Sequence, residues 1–558
     1  MSKTIFTLLL LALFGLSGSS SLCLAAMPTA DAVLASMTLE EKIGQMLLVA
    51  FKGPAMSPEL KAMIADRHIG GVILYSTWGN VESVRQVAAL NASIQAEAAG
   101  TPRNVGLFVG VDQEGGPVDR LREGVTVWPS QMAIAATGDR DQAQAMARVT
   151  ARELAVLGIN LNFAPVADVN SNPHNPIIGI RSFGSDPDTV SRLTSAMVEE
   201  YVRSRLLCTP KHFPGHGDTD VDSHLGLPIL NHDRKKLFRV DFAPFQAAFK
   251  AGAPAVMTAH MEVPALDPAK GLPATLSSRV LQGTLRQDLR FDGLIVTDSL
   301  GMGALSKGVG TVRAAVMAAK AGADVLLFGA DTGHDPGEQI EAFDALLGAV
   351  KSGEIPPERI DQAVRRILSV KERYGILDAS AIADRSAEIP YAVGIAENVQ
   401  AAQDAAGKSI TLRRDRLKLL PFKTGDRVLV VWPERLPGDP VEALTLPPGA
   451  ALLRPEREPS AKDMRDAVEA AAKADKVVMV TYDATRNPAQ RNLARTLLDV
   501  KPQGFIHVAM GAPYDLTLFP DAPAAVATYG DAPVSVRALG LALAGKIPMT
   551  GRMPVWLP

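Results

Sequence analysis

The chain has 558 residues, of which 47% are hydrophobic and 21% charged, with a net charge of −3. That length implies roughly two to four folding units, fewer where one of them is a large barrel. Mixed charge without a basic stripe excludes a nucleic-acid binder and a disordered tail, and leaves a soluble globular enzyme as the expected class.

Lys3, the apolar run over residues 5–16 and the small-residue stretch Leu24-Ala25-Ala26 open the chain. This is a secretory leader pattern, well short of the ~20 apolar residues of a spanning helix. Residues 1–26 are therefore expected to be removed near Ala25 or Ala26, giving an exported protein, periplasmic or secreted, with no stable membrane insertion afterwards. Cys23 follows Leu22 rather than the small residue that lipid-processing sites prefer. Cleavage leaves Cys208 as the remaining cysteine, which reads as a small buried apolar residue.

From residue 43 onward, short apolar runs rich in β-branched residues alternate with longer helical patterns, which signals parallel strands joined by helices. The runs cover 43–51, 71–75, 105–111, 159–166, 206–209, 255–258, 293–296 and 323–328. Eight of them in this spacing predict an α/β fold, a (β/α)8 TIM-type barrel over residues 27–385, closed by a helix near 359–374 that stops at Gly375. Polar groups follow several runs at once: Asp112-Gln113-Glu114, Asp168, Lys211-His212, His260 and Asp298. In such barrels the C-terminal strand ends form one mouth, so these groups are expected together.

A second unit, residues 386–558, reads as a smaller α/β sandwich domain around a parallel sheet. It has an Ala-rich helix near 396–406 and strand runs at 428–431, 476–481, 505–509 and 524–528. It has no phosphate-cradling glycine cluster followed by Lys and Ser, so no nucleotide cofactor is expected.

The stretch 211–228, KHFPGHGDTDVDSHLGLP, holds three histidines and three aspartates. As a metal cage it has poor spacing, because Pro214, Gly215 and Gly217 interrupt regular structure between His212, His216 and Asp218. No metal or other cofactor is expected. A loop of mutually satisfied polar groups is a second reading. A third rests on Asp222-Ser223-His224: in an extended segment residues i and i+2 face one side, so Asp222 can hold one imidazole nitrogen and leave the other for substrate. Such a dyad serves as general acid in one step and general base in the next.

Several long motifs then point the same way. Lys211-His212-Phe213-Pro214-Gly215-His216-Gly217-Asp218-Thr219 with Asp222-Ser223-His224, Asp112-Gln113-Glu114-Gly115-Gly116, Arg181-Ser182-Phe183-Gly184-Ser185-Asp186 and Val296-Thr297-Asp298-Ser299-Leu300-Gly301-Met302 together resemble the family 3 glycoside hydrolases, most closely their β-N-acetylglucosaminidase branch. The second unit is similar more loosely, through Gly407-Lys408-Ser409-Ile410-Thr411-Leu412 and Gly551-Arg552-Met553-Pro554.

The resemblance implies Asp298 as nucleophile, His224 as acid/base with Asp222 as its partner, and Asp112, Arg120, Arg181, Lys211 and His212 as sugar-binding residues. Arg120 and Arg181 also fit a purely structural ion-pair role. His216 and Asp218 fit a supporting layer, and His260 the pocket wall. Pro117, where many relatives carry arginine, and His174, where asparagine is common, depart from the pattern at the rim. The implied partner is an oligosaccharide with a terminal β-linked N-acetylglucosamine, of cell-wall muropeptide or chitin type. Water and phosphate both fit as acceptor. A family 3 β-glucosidase or xylosidase, which takes its acid from a second-domain carboxylate, and an inactive sugar-binding protein are the alternatives.

Overall fold

The computed structural model describes residues 29–331, 335–434, 441–446 and 448–557; the leader pattern and Cys23 lie outside them. Eight short parallel strands form a closed ring: β1 (Leu47–Ala50), β2 (Gly71–Ile73), β3 (Phe108–Val111), β4 (Leu161–Asn162), β5 (Leu207–Cys208), β6 (Ala255–Met257), β7 (Leu294–Val296) and β8 (Leu326–Leu327). Six of them pair in the order β8-β1-β2-β3-β4-β5, and β6 pairs with β7. Single bridges complete the circle, Phe213 to Thr258 between β5 and β6, and Val296 to Val325 between β7 and β8.

Every residue of these strands is buried, as expected of strands covered on both faces, and that is why the sequence shows continuous apolar runs instead of alternation. Each strand is shorter than its apolar run. The remaining apolar residues continue into the loops at the strand ends and are buried there too, among them Phe163 and Phe328. The closing helix Pro357–Tyr374 ends on Gly375, whose φ of 75° is the left-handed stop that glycine supplies without strain. Cys208 is free and buried, and burial pushes its thiol well up, which fits an inert packing residue.

The second unit is a six-stranded sheet: β9 (Thr411–Asp415), β10 (Val428–Val431), β11 (Ala451–Leu453), β12 (Lys476–Thr481), β13 (Phe505–Ala509) and β14 (Ala524–Ala527), in the order β9-β14-β13-β12-β10-β11. The expectation of an all-parallel sheet needs correction, because β9 runs antiparallel to β14 at one edge. The four strands read from the sequence are the inner ones and are buried throughout. The two additional strands are edges with exposed residues.

The two units meet through an apolar cluster. Met132, Ala133, Ala136 and Ile180 of the barrel pack with Tyr514, Ala525, Ala527, Tyr529 and Val555 of the second unit. The chain's last residues also touch the mouth of the barrel, where Ser185 N donates to the Pro554 carbonyl (3.2 Å).

Candidate active site

The C-terminal ends of the barrel strands open on a cavity of about 250 Å³. Asp112, Arg120, Arg181, Lys211, His212, His224 and Asp298 all line it, so the structure brings together every expected site residue except Asp222, which stands behind His224.

The floor of the cavity is a network of buried charges. Lys211 Nζ lies 2.8 Å from Asp112 Oδ1 and 2.7 Å from Glu114 Oε1. Arg120 donates to the other Asp112 oxygen (3.0 Å) and its guanidinium covers the Tyr75 ring. Arg181 clasps Glu114 with two parallel hydrogen bonds of 2.9 and 2.8 Å, the planar fork geometry that fixes both groups. Burial works to raise both carboxyls, but Lys211 with Arg120 holds Asp112 far below the usual carboxylate range, and Arg181 with Lys211 brings Glu114 to about 2. The ion-pair reading of Arg120 and Arg181 and their sugar-binding reading therefore describe one arrangement: each arginine orients a carboxylate and also faces the cavity.

Asp168 organises the next layer. One of its oxygens accepts from the backbone of His212 (3.2 Å) and of His216 (2.7 Å), and the other lies 2.7 Å from His212 Nδ1. That leaves His212 Nε2 toward the cavity, 3.3 Å from an Arg181 nitrogen. The chain can run this close to Asp168 because position 217 is glycine: a Cβ there would stand 1.8 Å from the Val169 carbonyl oxygen. His216 bonds Thr219 and Ser223 through its two nitrogens, and burial lowers it to about 4, so it is neutral and supports the loop, and it also lines the cavity.

Asp298 follows β7 and accepts a hydrogen bond from Ser299 N (2.8 Å). Burial opposes its charge, yet the imidazoles of His212, His260 and His224 outweigh that and hold the carboxyl below its ordinary value. A carboxylate that stays ionised inside a cavity is suited to nucleophilic attack. His224 Nδ1 lies 2.8 Å from Asp222 Oδ1, which also accepts the His224 backbone N–H (2.9 Å). The expected pairing is present, but its geometry is a turn in which the aspartate caps the residue two positions on, not an extended segment. The hydrogen bond that His224 donates to Asp222 raises its pKa above the usual value against partial burial, helped by the charges of Asp298 and Asp331.

His260 is a correction. It does not line the cavity; it is fully buried, with Nε2 donating to the Ser299 carbonyl (2.8 Å), and so props the segment after Asp298. Asp218 does belong to the supporting layer, paired with His232. Tyr75, Glu114, Met302 and Asp331 line the cavity without having been assigned a role from sequence. Two had a legible signal: Glu114 sits two residues after Asp112 in a quoted motif, and Asp331 is a carboxylate three residues past the eighth apolar run. His174 is exposed and lines nothing here, while Pro117 lines an adjoining cavity of about 250 Å³. That second cavity shares Val118, Ile177, Ile178 and Arg181 with the first, and the second unit walls it with Tyr482, Asp483, Thr485 and Arg486.

Comparison with known proteins agrees with this geometry. The sequence profile described as the glycosyl hydrolase family 3 N-terminal domain matches residues 38–370. A β-hexosaminidase A of Pseudoalteromonas piscicida is 36% identical over 376 residues, which cover 62% of this chain and 62% of that protein. A β-N-acetylglucosaminidase/β-glucosidase of Cellulomonas fimi is 29% identical over 94% of both chains. Among solved structures, a glycoside hydrolase family 3 β-N-acetylglucosaminidase from Paenibacillus sp. superposes with a TM-score of 0.84 at 37% identity, covering 94% of this chain and 99% of that one.

Proposed function

This chain belongs to glycosyl hydrolase family 3, and from that premise we propose that it is a retaining exo-β-N-acetylglucosaminidase that removes a terminal β-linked N-acetylglucosamine from an oligosaccharide. The observation that carries the reading is the pairing of Asp298 and His224 across one barrel cavity, with Asp222 behind the imidazole. Asp298 attacks the anomeric carbon as the bond to the leaving oxygen breaks, and the proton on His224 Nε2 passes to that oxygen. A water molecule then attacks the same carbon, gives a proton back to His224 and frees Asp298. The paired charges on the floor suit sugar hydroxyls, because Asp112 and Lys211 offer an acceptor and a donor side by side.

A glucosidase that draws its acid from the second domain finds less support. Every described residue lining the catalytic cavity precedes residue 332, and the second-unit turn Tyr482–Arg486 reaches only the adjoining cavity. That cavity is where the departing sugar has room. The leader pattern supports an exported enzyme acting on muropeptides or chitin oligosaccharides. Release of nitrophenol from the N-acetylglucosaminide against the glucoside tests the reading. Activity on the first alone is expected; preference for the glucoside, or none on either, rejects it.

A further inference from the structure

The loop that carries His224 leaves the barrel after β5 and returns at Ile229, which bridges to Glu262. Its outgoing strand is held by Asp168, and its tip rests on the segment after the nucleophile: Ala304 N donates to the Ser223 carbonyl (3.1 Å) and Lys307 Nζ to the Leu225 carbonyl (3.1 Å). Between these anchors the two halves of the loop are tied at the neck. His232, just past the returning half, bonds Asp218 of the outgoing half through Nε2 and Asp241 through Nδ1 (2.7 Å). Asp241 ends the short helix Leu237–Asp241 and packs beneath Gly215, where a Cβ would stand 3.0 Å from its own.

None of the three lines the catalytic cavity, yet the imidazole is 6% exposed and Asp241 2%, so this is a built clamp and not a surface pair. Both ring nitrogens face carboxylates, so a protonated imidazole donates to both where those carboxyls are ionised. Burial opposes that charge, but Asp218 and Asp241 hold the imidazole at about 9. Lys236, 3.5 Å from Asp218, offsets the second carboxylate.

We infer that His232, clamped between Asp218 and Asp241, is a positioning residue that sets where His224 stands relative to Asp298. Tying the neck leaves the tip with little freedom to slide, and a proton donor misplaced by about 1 Å loses on the order of 10²-fold in rate. The inference rests on His224 being the proton donor.

The test uses the full chain, chitobiose as the substrate with a basic leaving group and the dinitrophenyl N-acetylglucosaminide as the one that needs no proton. His232→Gln, which keeps one donor of two, is expected to lower kcat on chitobiose on the order of 10- to 100-fold while KM stays within about twofold and the dinitrophenolate burst is unchanged. Asp218→Asn, on the more exposed side of the clamp, is expected to do the same with less disturbance of the interior. Added to His224→Ala, either change should cost nothing more. Equal losses in kcat on chitobiose and in the rate of the dinitrophenolate burst, or a further loss in the His224→Ala background, would overturn the clamp alone. If His224→Ala itself shows no dependence on the leaving group, the donor assignment falls and the clamp with it.

Discussion

Two lysines lie fully buried at opposite ends of the barrel, and they are treated in opposite ways. At the mouth, Lys211 has Asp112 and Glu114 within 2.8 Å, and although burial pushes its amine down, the two carboxylates raise it above its ordinary value. At the base, among the described residues, the Lys371 amine meets the Gln45 side-chain oxygen (2.8 Å), the Gly70 carbonyl (2.9 Å) and the face of Phe108, and burial alone drives it down to about 7. Burial by itself discharges an amine; a buried charge persists where partners are built for it. The mouth therefore keeps its ions through paired carboxylates, whereas the base offers its amine only neutral oxygens and a ring face.

The sharpest separation of the two ends comes from removing a charge that makes no structural pair. Asp298→Ala should lower turnover by at least about 10⁴-fold, the scale of losing a covalent nucleophile, and leave the melting temperature nearly unchanged. A slow fluorinated N-acetylglucosaminide should leave its sugar on the peptide containing Asp298, and an adduct elsewhere ends the assignment.

Next in size, His224→Ala should cost on the order of 10²–10⁴-fold with a sugar leaving group, the range of a lost acid/base catalyst. With dinitrophenolate the first step should survive and an intermediate accumulate. Asp222→Asn keeps the contact but removes the charge that raises His224, so the alkaline limb of kcat/KM, which reports loss of the acid's proton, should move to lower pH. A limb that stays in place would detach Asp222 from the proton donor.

Lys211→Met attacks the floor instead. It leaves Asp112 and Glu114 as neighbours without their shared cation, so about 3–5 kcal/mol of stability should be lost, as when any buried pair is broken. Activity should fall roughly 10- to 10²-fold, the worth of a charged hydrogen bond, and by the same factor for every leaving group. A loss that tracks leaving-group basicity would place Lys211 in proton transfer.

How much of this could be read beforehand follows from the same physics. All eight barrel strands were visible because burial on both faces demands unbroken apolar runs, and the strand ends announced Asp112, Lys211 and Asp298 as charged residues within three positions of them. The edge strand Thr411–Asp415 was not visible as a strand, since it lies at a sheet border with Leu412 and Arg413 exposed and two arginines in its five residues. Contacts between distant segments left no local mark: nothing near His232 announces Asp218, and nothing near Glu114 announces Arg181, 67 residues on. His260 misled because a polar residue after a strand points to the mouth only if its side chain does, and here it turns inward to a carbonyl.

The smallest expected effect lies at the base. Lys371 titrates near 7 in the folded chain against ~10.4 when unfolded, so between those values the unfolded chain binds the extra proton. Its burden on stability is therefore complete below about pH 7, shrinks as pH rises and is gone above roughly 10. Methionine has a similar unbranched shape and no charge to desolvate, while Gly70 keeps its hydrogen bond from Phe108 N and only the Gln45 oxygen loses a partner. Lys371→Met should leave kcat and KM alone and stay within about 1–2 kcal/mol of the parent at pH 7, because exchanging a buried charge for apolar volume is often close to neutral. What it should change is the slope: measured from pH 7 to 10, the parent's melting temperature should gain on the variant's. The same treatment of Lys211 should show no such gain, since that amine is charged throughout the range in both states, and a flat difference for Lys371 would mean that the base, too, holds its ion.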